Sequence, residues 1–244
     1  MATNPMHQFE VHRIGPSLSI NGMDLSFTNS SLFMLISSIL IIIFFIAGTR
    51  RVNIVPGKIQ LLNELVFNFI SKMINETVGP NARPYFPFIL TIFLFILTLN
   101  MIGLLPYAFT VTSQIIITFF LAIVIFFGVT IIGFAKNGIR FLKIFVPSGV
   151  PIFLFPIIVA IEIISFLSRP VSLSVRLFAN MLAGHTMLKV FGGFVVSLGI
   201  VGGWLPLSFS VALTALEMLV AFLQAYVFAV LSCIYLNDAL NMHH

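Results

Sequence analysis

The chain has 244 residues, a formal net charge of +5, 59% hydrophobic residues and only 8% charged ones. Soluble domains carry about 25% charged residues, so this chain cannot cover a water-facing surface, and its natural solvent is lipid. The positive charge does not imply nucleic acid: the basic residues fall in short loops at the ends of apolar runs, as the positive-inside rule expects, and no basic stripe interleaved with exposed aromatics occurs.

Residues 1–30 are polar and turn-rich, and Asn29, Ser30 or Ser31 can cap the helix that follows. From Leu32 to Gly48 the chain is nearly all aliphatic and Phe, giving a first span over 32–48. That run follows a mixed polar segment and lacks a small-residue cleavage site, so it is expected to persist as a membrane helix rather than leave as a signal peptide. Arg50 and Arg51 close it, long enough to reach a head-group layer. In the segment 58–78 the apolar residues Ile59, Leu62, Leu65, Val66, Phe69, Ile70 and Met73 recur at helical spacing. Asn63, Glu64, Asn68, Lys72 and Asn75 lie mostly opposite, which predicts an amphipathic helix along the membrane surface with one wet face.

A second span follows over 88–105, closed by Pro106, and a third over 115–134, with Tyr107–Ser113 as a hairpin between them. Lys136, Arg140 and Lys143 come next. Placing both basic clusters inside makes the first span run inward, the second outward and the third inward, with the N-terminus outside. Residues 149–236 are almost unbroken hydrophobic sequence, punctuated by Pro151, Pro156 and Pro170 and by a turn at Gly202, Gly203 and Pro206. Hydropathy alone allows two or three crossings there. The stretches 171–197 and 207–236 are long for perpendicular spans, which predicts strong tilt. Barrel-type short alternating segments are absent, as are internal repeats, so the fold class is an all-α polytopic membrane protein in a single domain. No G-x-x-x-x-G-K-[ST] loop occurs, so no P-loop nucleotide site is expected. Cys233 lies in an apolar run and reads as inert packing. His7, His12, His243 and His244 have no companion acidic or Cys cluster and read as solvated, so no metal or cofactor is expected.

The ionisable residues are distributed unevenly. The first three spans contain none, their polar members being chiefly Asn100 and Gln114, whereas the last third holds Glu162, Arg169, Arg176, His185, Lys189 and Glu217, with the amides Asn180 and Gln224. A charge within the bilayer costs about 2.5–3.5 kcal/mol on insertion scales, so such residues usually line a pathway or pair with one another. Arg169 and Lys189 lie near helix ends and read as structural; Glu162 is divided between structural and functional readings. Glu162, Arg169 and Arg176 are seven apart, a stripe that drifts only about 20° per step unless Pro170 breaks it. Asn180 lies one turn beyond Arg176 on the same face, and His185 about half a turn round. Glu217 and Gln224 are again seven apart. A turn near Gly202 makes the two helices antiparallel, which brings Glu217 toward His185 and Gln224 toward Arg176. A histidine–carboxylate pair in a low-dielectric site can relay protons near neutral pH. An arginine keeps its proton and cannot, so relay groups beside a fixed cation suggest a gate rather than a continuous wire.

Arg169 to His185, RPVSLSVRLFANMLAGH, resembles the signature of F-type ATP synthase subunit a, and Leu216 to Ala239 resembles that family's last helix. The run from Asn100 to Pro106 is similar to its second-span ending. The resemblance spans essentially the whole chain and implies five passages, with the C-terminus inside and two long tilted helices against a ring of c subunits. It implies that Arg176 is the stator arginine facing that ring and separating two offset half-channels. Asn180 and Gln224 would flank it, His185 and Glu217 would form the outer-side relay, and Glu162 and Asn100 would be weaker lining residues. Implied partners are the c-subunit ring, b-type peripheral stalk subunits, the remainder of the F1F0 complex and the lipid bilayer, with H+ as the translocated ion. The chain itself would be non-catalytic. Part of the family carries an acid at the position of His185 and a histidine at that of Glu217; the exchange here is a mitochondrial-type arrangement. Gly103 stands where some members carry an acid, so that acid's role does not transfer. The host membrane is expected to be a bacterial inner membrane, with a mitochondrial one as the alternative.

Two other readings compete. A self-contained proton-coupled transporter would use the same buried charges, but such folds often have paired halves, and here the charges lie in one half. A structural subunit of a respiratory complex predicts axial histidine pairs, and His185 is the one intramembrane histidine.

Overall fold

The computed structural model describes residues 10–14, 19–20, 23–24, 26–50, 53–105, 108–145 and 155–240. Pro106, Tyr107, Pro151, His7, His243 and His244 lie outside them. A two-residue hairpin, β1 (Ser19–Ile20) with β2 (Met23–Asp24), is antiparallel, and Arg13 bridges to Thr28. Six helices follow among the described residues: α1 (Asn29–Thr49), α2 (Lys58–Thr77), α3 (Phe86–Gly103), α4 (Ile115–Asn137), α5 (Phe155–Gly202) and α6 (Trp204–Leu240). Short 3-10 turns over Pro80–Tyr85, Val111–Ser113 and Gly138–Phe145 join them. The cap of α1 is Thr28, whose Oγ1 accepts from the Ser31 backbone N–H at 3.4 Å, one residue before the three that the sequence offers; Asn29 is instead occupied by the 10–14 segment, donating to the Glu10 carbonyl.

Among the described residues, five helices are long and apolar enough to cross a membrane: Asn29–Thr49, Ala82–Gly103, Ile115–Leu142, Pro156–Gly199 and Trp204–Leu240. The last two, of 44 and 37 residues, measure roughly 66 and 55 Å at ~1.5 Å per residue, against a hydrocarbon core of about 30 Å. Each is one helix, so the two-or-three ambiguity of this region is resolved as two, and the excess length suits strong tilt. The outward faces are apolar, as on α1, where Leu35, Ile39, Ile42, Ile43 and Ile46 are exposed. That surface suits hydrocarbon, where the helix alone satisfies every backbone group.

Helix α6 is the centre of the bundle and packs on α2, α3, α4 and α5. Its buried face runs Ala221, Ala225, Ala229, Ser232 and Cys233. Small side chains at three- and four-residue spacing let neighbouring backbones approach closely, the main way membrane helices gain packing energy. Larger residues of the other helices close on them: Phe93 and Ile96 from α3, Ile125 from α4, Leu173 and Leu177 from α5. Cys233 is fully buried and free, a packing residue.

On helix α2, Glu64, Asn68, Lys72 and Asn75 are exposed and Ile70 and Met73 buried, as the periodicity expects, but one polar residue differs. Asn63, assigned to a wet face, is only 8% exposed. It turns onto α1, where its Nδ2 donates to the Phe44 carbonyl at 3.1 Å, in space left open because Gly48 has no side chain. Leu61, Leu62 and Leu65 point outward instead. A carbonyl over a glycine notch outweighs the amphipathic pattern here, because a buried amide needs a partner.

Helix α5 runs unbroken through Pro170 and ends where Gly199 takes a positive φ of 63°. The chain then reverses at Gly203, whose N–H donates to the Gly199 carbonyl at 2.9 Å. A Cβ on Gly203 would stand 2.6 Å from that same carbonyl oxygen, so the turn has no room for a side chain. This reversal sets the antiparallel register of α5 against α6, and everything in the site below depends on it.

Candidate functional site

Because α5 is continuous through Pro170, its heptad spacing holds. Leu173, Leu177, Met181 and His185 face inward, whereas Val175, Arg176, Ala179 and Asn180 lie on the exposed side. Arg176 makes no hydrogen bond or ion pair among the described residues and stands at the edge of the α5 face that continues through Ser165, Ser168, Ser172, Ala179 and Ala183, all exposed. A cation in a membrane helix is costly unless something opposes it. Its neighbours on the exposed face are the small residues that admit a second helix at short distance.

One turn on, Asn180 Nδ2 donates to Gln224 Oε1 at 2.9 Å, so the amides that the sequence places at the level of Arg176 bind each other across the α5–α6 seam. Half a turn round, His185 is 8% and Glu217 6% exposed. His185 Nδ1 lies 3.0 Å from Glu217 Oε1, in direct contact. Neither carboxylate oxygen accepts an aligned hydrogen bond among the described residues, so the pair is within proton-transfer distance but needs a small rotation to align. Asn100, fully buried on α3, donates to the Ala221 carbonyl at 3.2 Å. It thereby joins this neighbourhood through the α6 backbone one turn from Glu217.

Asn100 Oδ1, Gln224 Nε2 and Glu217 Oε2 are buried and make no hydrogen bond among the described residues. A dry unsatisfied polar atom costs about 1–3 kcal/mol, and three in one seam suit ordered water. Glu162 is not brought into this group: it sits two heptads before Arg176 on α5, roughly 21 Å along the axis, and forms no ion pair among the described residues. No three His, Cys, Asp or Glu side chains converge among the described residues.

Four contributing residues are not marked in the sequence. Gly184 lies against Glu217, where an added Cβ would stand 2.6 Å from Oε1 and 2.9 Å from Cδ. Ser174 and Thr118 pair their hydroxyls at 3.2 Å and lock α5 to α4 beside the arginine. Asp238 holds Arg169 in an ion pair at 3.0 Å, a specific partner that a place near a helix end did not suggest. The available signals were weak: a glycine beside an ionisable residue, and an acid in the last turn of the last helix. At Gly103, the Thr110 side chain lies in the space a larger residue would need, 2.9 Å from where a Cβ would stand.

Gly184→Ala should push the Glu217 carboxyl away from His185 and lower proton translocation several-fold, with the amount of chain in the membrane unchanged. Vesicle acidification normalised to chain content measures this. Unchanged acidification would show that Glu217 reaches His185 from another rotamer.

A family model described as ATP synthase A chain matches residues 31–237. The chain is 69% identical over 244 residues to the ATP synthase subunit a of Pelagibacter ubique, covering 100% of both sequences. It is 56% identical to that of Parvibaculum lavamentivorans over 99% of this chain and 95% of the relative. It is 52% identical to that of Mesorhizobium japonicum over 99% and 98%.

Proposed function

The chain belongs to the ATP synthase A chain family, and from that premise we propose that Arg176 is its gate and the His185–Glu217 pair its outer-side relay. The chain is the proton-conducting stator component of a rotary ATP synthase, a multi-pass protein of a bacterial inner membrane, as its bacterial relatives indicate. It holds no nucleotide chemistry of its own. It works on the carboxylates of a ring of c subunits and is held by the b-type peripheral stalk.

Protons from the outer side pass along the hydrated seam by Asn100 to Glu217 and His185, and from there to a ring carboxylate. The neutralised carboxyl leaves into lipid as the ring turns. A carboxyl arriving from the other direction loses its proton to the inner-side half-channel and, once charged, is attracted to Arg176. Because a guanidinium never releases its proton, no proton passes straight between the half-channels. Asn180 and Gln224 hold each other beside Arg176 and limit its rotamers. Glu162, on the inner part of α5, lines the inner-side path.

The observation that carries this reading is the division of α5: a cation without an ion-pair partner among the described residues on one face, and a buried histidine–carboxylate contact on the other. In vesicles, the complex containing this chain should acidify the lumen on ATP hydrolysis. The complex stripped of it should hydrolyse ATP without acidification, and the chain alone should conduct no protons. Proton conduction by the chain alone would instead favour a self-contained transporter.

A further inference from the structure

Arg169 lies seven residues before Arg176 on an unbroken helix, about 10.5 Å along the axis and about 20° round it. By backbone position it belongs to the same stripe. Its surroundings differ. Arg169 Nη1 donates to Asp238 Oδ2 at 3.0 Å, and its guanidinium lies 5.4 Å from the Phe166 ring centroid and 4.9 Å from that of Tyr235. Its side chain is 24% exposed and that of Asp238 37%. The acid itself is anchored: the carbonyl of the next residue, Ala239, accepts from Asn137 Nδ2 of α4 at 2.6 Å. Three helices therefore converge to hold one carboxylate against one guanidinium, and two aromatic rings hold the guanidinium on the α6 side.

We propose that Asp238 is a positioning residue that neutralises Arg169 and draws it into the α5–α6 seam, so that Arg176, and not Arg169, is the cation the ring carboxylate meets. This rests on the reading of Arg176 given above. A carboxylate leaving Arg176 toward the inner side passes the level of Arg169. A free cation there would hold the carboxylate a second time, and in a low-dielectric environment that attraction is weakly screened. The ion pair removes this trap. Its benefit lies in what Arg169 is kept from doing, which gives the two partners unequal importance.

That inequality is testable in the assembled complex, in membrane vesicles, by ATP-driven acidification per unit of complex. Asp238→Asn frees Arg169 and should lower pumping at least about fivefold. Arg169→Gln removes the trap itself and leaves Asp238, 37% exposed, to be solvated, so it should stay within about twofold of the parent. Arg169→Gln combined with Asp238→Asn should recover to the level of Arg169→Gln alone, and Asp238→Glu, which keeps the carboxylate, should pump well. A simple structural brace predicts the opposite: both single variants equally damaged and the double variant no better. That pattern would overturn the proposal. If Asp238→Asn fails to assemble, the double variant still decides, since its assembly and pumping would support a harmful free Arg169 and its failure would overturn it. Arg176→Ala run alongside separates the two ideas. Normal pumping in that control removes the gate reading itself, whereas its loss together with equal damage at Arg169 and Asp238 removes only the present inference.

Discussion

Replacing Arg176 by alanine should reduce ATP-driven acidification of vesicles by at least about a hundredfold while the assembled complex still hydrolyses ATP. Two unit charges about 4 Å apart attract by about 4 kcal/mol at an effective dielectric near 20, and each 1.36 kcal/mol is a factor of ten in rate. Loss of the attraction that draws each ring carboxylate past the stator is therefore a loss of two to three decades. Passive proton leak, recorded in the same vesicles, should rise, because the fixed cation no longer separates the half-channels. Arg176→Lys adds a second comparison: it keeps a positive charge, but a desolvated ammonium can release its proton, so it should leak more than the parent and pump less. Normal pumping by Arg176→Ala would make the residue structural and withdraw its assignment as the gate.

The second large effect concerns the relay. Glu217→Gln leaves His185 beside an amide that cannot take up a proton, and should lower pumping at least about a hundredfold, the low end of the range for loss of a positioned acid or base. His185→Glu alone should be worse, since it buries two carboxyl groups within contact distance. The combined exchange, His185→Glu with Glu217→His, rebuilds one acid and one imidazole across the same 3.0 Å contact and should recover a substantial part of the lost rate. Acidification by the exchanged variant no better than that of the single variants would show that the two residues act separately.

Much of this site is legible in the order of the residues, and the reason is local. Helical periodicity alone puts Arg176 and Asn180 on one face and His185 half a turn away, because 3.6 residues per turn fixes angular position from sequence separation. Hydropathy likewise gives the spans, since a bilayer sets a length that any apolar run either meets or does not. Where local patterning misled, at Asn63, a contact with α1 outside the window of the periodicity decided the orientation.

By itself, then, the sequence determined that the chain spans lipid, that its costly charges sit in the last two helices and which of them share a helical face. The turn near Gly202 also brought Glu217 toward His185; the tertiary structure alone decided that this contact is direct, that Asn180 meets Gln224 and Arg169 meets Asp238, and that Gly184 is the space in which the Glu217 carboxyl rests. Each of those pairings needs the register of one helix against another, and that register is set by the reversal at Gly199–Gly203 and the small-residue face of α6. Neither is encoded in the periodicity of a single helix, because a helix fixes the direction of its own side chains but not the height or identity of what stands opposite.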